Sequence, residues 1–329
     1  MIEKNEQKRE RKDLQIDSLT REEYYNELIV SSERFVDPVI QEKFRNTNLL
    51  IAGVGSVGNP IAMMAVRSGA EQITVMDPDS VEVSNLSRQQ YSVSQVGQNK
   101  ADMTLQNMLE VNPYIHSKSE PLGMTLENAN EYVRNADIVV DGIDIRSLDV
   151  IYELHKKACE FKKPVLVGYD LAGTAMVAVY RYDKDRMTPL KGELNEEKIE
   201  EFKGVRDAYR DGLVTEAEFL NYVYDAFTGP INPFKVPVEQ LQELVERDDE
   251  DNRTYQLGTT SAVLSSLMVE TMRRIVADER VKDIVIVDIP SEVRRTNPSV
   301  ISRIPLLLRT LMRVKARGLK VKDVINKIR

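Results

Sequence analysis

Three glycines, Gly53, Gly55 and Gly58, spell G-x-G-x-x-G directly behind the apolar run NLLIAG and ahead of NPIAMMAVRSG. Glycines at this spacing let backbone N–H groups close on an anion, and a helix starting there adds the positive end of its dipole. The chemistry this predicts is phosphate binding; the bland counterpart is a tight turn with no ligand. Asp77 closes the next apolar run, ITVMD, 24 positions after Gly53, where a carboxylate can accept hydrogen bonds from ribose hydroxyls. Alone, these features suit NAD. The segment that follows, DPDSVEVSNLSRQQYSVSQVGQNK, adds Asn85, Arg88, Gln89 and Lys100. Hydride transfer has no use for such a cluster, whereas fixed cations at Arg88 and Lys100 can stabilise a phosphate under attack. Nucleotidyl transfer fits better. Asp144, in IVVDGID, lies just beyond a strand's carboxyl end, where open α/β sheets hold their ligands, and its carboxylate is suited to magnesium. The same side chain is able to cap a helix beginning near Ser147.

Holding these residues together takes a strand, a glycine turn, a helix and a second strand over residues 48–77. Pro60 suits the first turn of that helix and Gly69 its end. The runs DIVVD (137–141), PVLVG (164–168), AMVAVYRY (175–182) and DIVIVD (283–288) read as further strands with helical segments between many of them. The expected fold is α/β: a Rossmann-like, doubly wound, largely parallel sheet with a helical insertion. Residues 1–33 read as a charged N-terminal helical segment and 34–182 as the nucleotide-binding half. The insertion is 183–253, with helical patterns at 195–203, 215–227 and 236–247, breaks at Thr228-Gly229-Pro230 and Asn232-Pro233, and an acidic close, ERDDED. Residues 254–298 complete the domain, with a long helix over 260–277, and 299–329 form a basic helical tail.

Composition sets outer bounds. Of 329 residues, 42% are hydrophobic and 30% charged, and no apolar run reaches the ~20 residues of a membrane-spanning helix. The opening MIEKNEQKRERKD has no apolar stretch to serve as a secretory signal, so a cytoplasmic location away from membranes is expected. The net charge of −8 argues against a general nucleic-acid binder. Cys159 is the single cysteine, which excludes an internal disulfide and a zinc site built on cysteine pairs. It sits in IYELHKKACEFKK on an apolar helix face with Ile151, Leu154, Ala158 and Phe161, a setting of packing rather than of thiolate chemistry. His155, one turn earlier, reads as surface decoration, and His116 has no recognisable context.

The motifs D-x-D-x-V-x-x-S-N-L-x-R-Q at 77–89, VGQ-x-K at 96–100, Asn112-Pro113 and D-x-x-D at 141–144, together with the glycine turn, resemble the ThiF/MoeB superfamily, adenylyltransferases related to ubiquitin-activating enzymes. The resemblance covers most of residues 34–295 outside the insertion. It implies ATP-dependent activation of a carboxylate as an acyl-adenylate, with release of pyrophosphate. It implies a nucleotide site of Gly53, Gly55, Ser56, Gly58, Asp77, Asn85, Arg88, Gln89 and Lys100, with magnesium on Asp144. Asp77 would take the ribose, and Asn85, Arg88 and Lys100 the phosphates. Arg34 resembles an arginine that reaches the partner subunit's ATP, so a homodimer is implied. The implied substrate is the C-terminal glycine of a small ubiquitin-like carrier protein or ribosomal peptide; a carboxylate on tRNA suits the acidic charge balance less.

The chain also departs from that pattern. Ser56 replaces the second of a glycine pair, Ile145 follows Asp144 where asparagine is usual, and Asp149 stands near a common arginine. The two C-x-x-C pairs of zinc-bearing members are missing, so no zinc is expected. A catalytically silent nucleotide-binding module is the alternative raised by Ile145, Asp149 and the helical insertion, read as a partner-docking surface. An NAD-dependent oxidoreductase is another, although it leaves the SNLSRQ and VGQNK segments unexplained.

Overall fold

In the computed structural model, which describes residues 19–227, 229–231, 235–247, 255–296, 304–313 and 315–317, the apolar runs build one seven-stranded sheet. The strands are β1 (Leu49–Ala52), β2 (Ile73–Met76), β3 (Lys118–Glu120), β4 (Ile138–Asp141), β5 (Pro164–Leu171), β6 (Thr174–Arg181) and β7 (Ile284–Asp288). Across the sheet they run β3-β2-β1-β4-β5-β6-β7, parallel from β3 to β5 and antiparallel at the last two pairings. The Rossmann-like, largely parallel sheet expected from the sequence is present. Every residue of β1 and β4 is buried, which is why these strands read as unbroken apolar runs rather than alternating ones. β3 escaped sequence reading: Lys-Ser-Glu has no apolar alternation, and its place on the sheet edge comes from pairing with Thr74–Met76.

Among the described residues, two helices, α1 (Arg21–Ile29) and α2 (Pro38–Arg45), precede the sheet. One face is covered by α3 (Gly58–Arg67), α4 (Lys100–Val111) and α10 (Gly258–Val276), whose Ile61, Met108, Leu264 and Met268 share a core with Ile51, Val140 and Leu166 of the sheet. On the other lie α5 (Ala129–Asn135) and α6 (Leu148–Phe161), with Val133, Leu154 and Ala158 against Leu50, Val139 and Val165. Burial of these branched side chains on both faces supplies the main driving force for the layered arrangement.

The expected insertion contains α7 (Glu196–Arg210), α8 (Glu216–Ala226) and α9 (Val238–Glu246). Asn195 and Thr215 cap the first two, Thr215 reciprocally with Glu218. Phe202, Phe219, Tyr222 and Val223 pack into the same core as α6 rather than into one of their own. An ion pair from Arg206 to buried Asp149 and another from Glu216 to Arg146 (3.2 Å) tie α7 and α8 to the start of α6. The last helices are α11 (Ile289–Val293) and a helical stretch at 304–313. The charged opening residues 1–18, the breaks at Thr228 and Asn232-Pro233, the acidic residues 248–251 and the tail beyond 317 lie outside the described residues.

Candidate active site

Strand order reverses between β1 and β4, so the connections leaving their carboxyl ends part to opposite faces of the sheet and leave a crevice where doubly wound sheets bind ligands. The glycine turn lies there. Gly53 has φ 90°, and a Cβ on it would overlap the Gly142 carbonyl of the loop after β4. Gly58 admits no side chain either, because its Cβ would overlap the Gly53 carbonyl as α3 begins. Asp77, just past β2, accepts the Val54 N–H (2.8 Å) on one oxygen and the Asp79 N–H (2.9 Å) on the other. Burial pushes its carboxyl up, against the pull of the Asp79 N–H and Lys100. Each oxygen keeps lone-pair capacity for a ribose hydroxyl.

The turn is braced by groups that motif reading passed over. The Tyr91 hydroxyl donates to the Val54 carbonyl (2.8 Å), while Asn59 at the start of α3 joins Thr104 (3.0 Å) and accepts the Gln90 N–H (2.6 Å). No spacing rule announces these bonds; they appear only when α3 and α4 pack.

The predicted cations come to the same edge. Lys100, the first residue of α4, holds its ammonium 2.9 Å from Asp79, mostly buried. Asn85 is buried in a short 3₁₀ turn, Val83–Ser87, and accepts the Glu82 N–H (2.9 Å). Gln89 is buried with its Nε2 4.0 Å from where a Cβ would stand on Gly55, and its Oε1 has no partner. Arg88 donates from Nη1 to the Ser84 carbonyl (2.8 Å) and from Nε to Gln256 (3.0 Å). The Ser56 hydroxyl donates to that same Gln256 oxygen (2.7 Å). Sequence reading missed Gln256, because 200 residues separate it from Ser56.

Asp144 follows β4 with its side chain 61% exposed. It accepts the Arg146 N–H (2.8 Å) and so caps a 3₁₀ turn, Ile145–Ser147, that runs into α6. The capping role weighed from sequence is therefore real, and it occupies one oxygen; the other lies 3.6 Å from the Arg146 guanidinium. No group of three or more His, Cys, Asp or Glu able to hold a metal occurs among the described residues. A single exposed carboxylate nevertheless fits magnesium, which commonly takes one protein carboxylate and fills its octahedron with phosphate oxygens and water.

A model of the ThiF family matches residues 25–298. The chain belongs to the ThiF family. It is 31% identical over 167 residues to the sulfur carrier protein adenylyltransferase of Thermus thermophilus, an alignment covering 50% of this chain and 60% of that protein. To the adenylyltransferase and sulfurtransferase UBA4 of Lodderomyces elongisporus it is 30% identical over 145 residues, covering 44% and 31%. The chain thus spans 60% or less of these curated relatives. Among solved structures, PaaA is similar with a TM-score of 0.56 at 17% identity, covering 85% of this chain and 82% of PaaA. MccB of E. coli, solved with AMPCPP and MccA, is similar with a TM-score of 0.51 at 18% identity, covering 83% and 72%. At such identities the likeness shows a common fold.

The departures of this ThiF-family chain now have structural explanations. Asp149 is buried and paired with Arg206 of α7, and Ile145 packs on the core that α7 and α8 share with α6. Both serve the seating of the insertion. His155 corrects a sequence expectation: far from surface decoration, it is 0% exposed, because α6 turns it against Asp141 of β4 and the rings of Tyr180 and Tyr182. Its Nε2 lies 3.2 Å from Asp141 and its Nδ1 2.9 Å from the Tyr182 hydroxyl. Asp141 also accepts the Ile143 N–H (3.1 Å), so the network anchors the loop that carries Asp144. His116 lies 2.9 Å from an Arg21 nitrogen. Cys159 is half-buried, donates to the Met187 carbonyl (3.1 Å), and has its thiol pushed up by burial, the opposite of what a nucleophile needs.

Arg34 is exposed in the turn between α1 and α2. Those helices pack at Gly69, where a Cβ would meet Gln41 and Tyr25. Gly69 lies beyond the C-terminal end of α3, away from the phosphate turn at its N-terminus. Nothing in this packing carries Arg34 to its own chain's site.

Asp170, near the end of β5, stands beside the N-terminus of α10. One oxygen accepts from the Ser261 hydroxyl (3.2 Å), and the other is buried without a partner. Burial pushes its carboxyl up to about 6, against Ser261, Thr260 and Arg88. The folded chain therefore holds this proton to higher pH than the unfolded chain, where the ordinary value is 3.8. For a raised acid, stability falls as pH climbs through that window and stays lost above it. Asp170→Asn keeps an acceptor for Ser261 and should be more stable than the wild type by ~2 kcal/mol at pH 7.5. Below pH ~4 the two should melt together. Thermal unfolding at both pH values checks this, and an equal difference at both would assign the effect to something other than charge.

Proposed function

We propose that this ThiF-family chain is an ATP-dependent adenylyltransferase. It activates the C-terminal carboxylate of a small ubiquitin-like carrier protein or ribosomal peptide and releases pyrophosphate. The observation that carries the reading is the gathering of Arg88, Lys100 and Gln89 around a glycine turn, in which Gly53 and Gly58 admit no side chain, at the sheet's switch point. Names of curated relatives, among them the sulfur carrier protein adenylyltransferase of Thermus thermophilus, support the carrier as substrate.

In this mechanism Asp77, held by the Val54 N–H, takes the ribose, and the N–H groups of residues 55–58 with Asn85 and Gln89 hold the phosphate chain. The substrate carboxylate attacks the α-phosphorus, the bond to the β-phosphate oxygen breaks, and pyrophosphate leaves. No side chain becomes covalently attached. Arg88 and Lys100 neutralise the charge that builds as the phosphorus is attacked, so catalysis rests on alignment and electrostatics. Magnesium, held by Asp144, would shield the phosphates so that a carboxylate can approach them. Activity in a homodimer, with Arg34 supplied by the partner subunit, and a cytoplasmic setting complete the proposal. No helix among the described residues is long and apolar enough to cross a membrane.

The test is isotope exchange. With MgATP and a candidate carrier or peptide ending in glycine, label from pyrophosphate should enter ATP, and deleting the terminal glycine should stop it. Exchange that ignores the carboxylate, or NAD turnover in its place, would overturn the reading.

A further inference from the structure

Gln256 stands between the insertion and α10, outside every motif recognised in the sequence, yet it connects two parts of the nucleotide site. Its side-chain carbonyl accepts both the Ser56 hydroxyl (2.7 Å) and the Arg88 Nε–H (3.0 Å). A Cβ on Gly258 would overlap the Ser87 carbonyl, so the segment 256–258 lies flat against the turn that presents Arg88. With Nη1 also on the Ser84 carbonyl (2.8 Å), two of the five guanidinium donors are committed to the protein, and the rest can meet an anion.

We propose that Gln256 is a positioning residue for the ATP site, holding Arg88 beside the phosphate turn through a shared oxygen that also takes the Ser56 hydroxyl. The proposal rests on the adenylyltransferase reading for the identity of the anion, but not for the Gln256–Arg88 link itself. An arginine side chain carries several rotatable bonds, and fixing it before the ligand arrives removes an ordering cost from binding. It also accounts for Ser56 where the resembled pattern has glycine: the serine supplies a second donor to the oxygen that fixes Arg88. The residue that closes the site therefore enters with the segment following the insertion.

Two readouts test it on the full chain. The first is the Arg88 Nε–H resonance of the nucleotide-free protein, assigned by its loss in Arg88→Ala; a held donor exchanges slowly with water. Gln256→Ala should bring that resonance into fast exchange, whereas Gln256→Glu, which keeps the acceptor, should preserve it. The second is MgATP affinity by calorimetry. Gln256→Ala should weaken binding about tenfold, the usual scale for one hydrogen bond to a charged group. In an Arg88→Ala background the same substitution should change little, because its effect runs through that arginine. Gln256→Glu should also bind weakly, since it sets a negative charge beside the phosphates. Losses that add in the double variant, or an Arg88 resonance unmoved by Gln256→Ala, would overturn the proposal. A wild-type chain that fails to bind MgATP would instead overturn the adenylyltransferase reading, and the resonance would still decide whether Gln256 holds Arg88.

Discussion

Replacing Asp144 with alanine is expected to lower carboxylate-dependent pyrophosphate exchange about a hundredfold or more, the scale on which removing one group that stabilises transition-state charge slows a reaction. The structure sharpens the test, because Asp144 has two jobs. One oxygen caps the turn before α6, and the exposed side chain is the candidate magnesium ligand. Losing a cap costs about 1 kcal/mol, a small part of the stability of a domain this size. Asp144→Asn separates the roles, since an amide oxygen can still accept the Arg146 N–H but makes a poor magnesium ligand. The asparagine variant should melt like the wild type and be nearly as inactive as alanine. Near-normal exchange by Asp144→Asn would remove the metal assignment and leave only the cap.

Arg34→Ala homodimers should also be nearly inactive, with turnover falling much more than MgATP affinity, as expected for an arginine that contributes to the transition state. Arg34 sits in an exposed turn whose flanking helices pack at the far end of α3 from the phosphate site. We propose that it serves a neighbouring subunit. Mixing Arg34→Ala chains with Asp144→Ala chains makes this visible. In a mixed dimer, the site on the Arg34→Ala subunit keeps its own Asp144 and receives an intact Arg34 from its partner. Exchange should return to a quarter or so of the wild-type rate, since about half the dimers are mixed and each has one complete site. Silence after demonstrated subunit exchange would place Arg34 within its own chain or outside catalysis.

Much of this site is legible in the sequence because its parts are local. Gly53, Gly55, Gly58 and Asp77 belong to one βαβ unit, and Asn85, Arg88, Gln89 and Lys100 follow within 23 residues of Asp77. Their types match the chemistry of a phosphate, and the continuous apolar runs of β1 and β4 announce strands buried on both faces. What stayed hidden depends on long-range packing. β3 owes its state to the edge it joins, His155 owes its burial to the packing of α6 against Asp141, Tyr180 and Tyr182, and Gln256 meets Ser56 across 200 residues of chain. Asp149 shows the converse difficulty. As a letter in a motif it stood near a common arginine and read as a departure, and in the fold it is the anchor of Arg206.

The placing of β7 bears on how the chain must be made. β6 is buried along its whole length, between β5 and a strand that lies more than 100 residues later in the chain. At a synthesis rate of ~5–20 residues per second, roughly 5–20 s pass between the emergence of β6 and that of β7. During that interval an apolar strand presents an open row of N–H and C=O groups, a template for pairing with other chains. The insertion is made in this interval, and its helices α7 and α8 cover the α6 face of the sheet but leave the β6 edge bare. Chaperone demand should therefore concentrate on nascent chains ending between residues 181 and 284, and a premature stop there would yield an aggregation-prone fragment rather than a smaller enzyme.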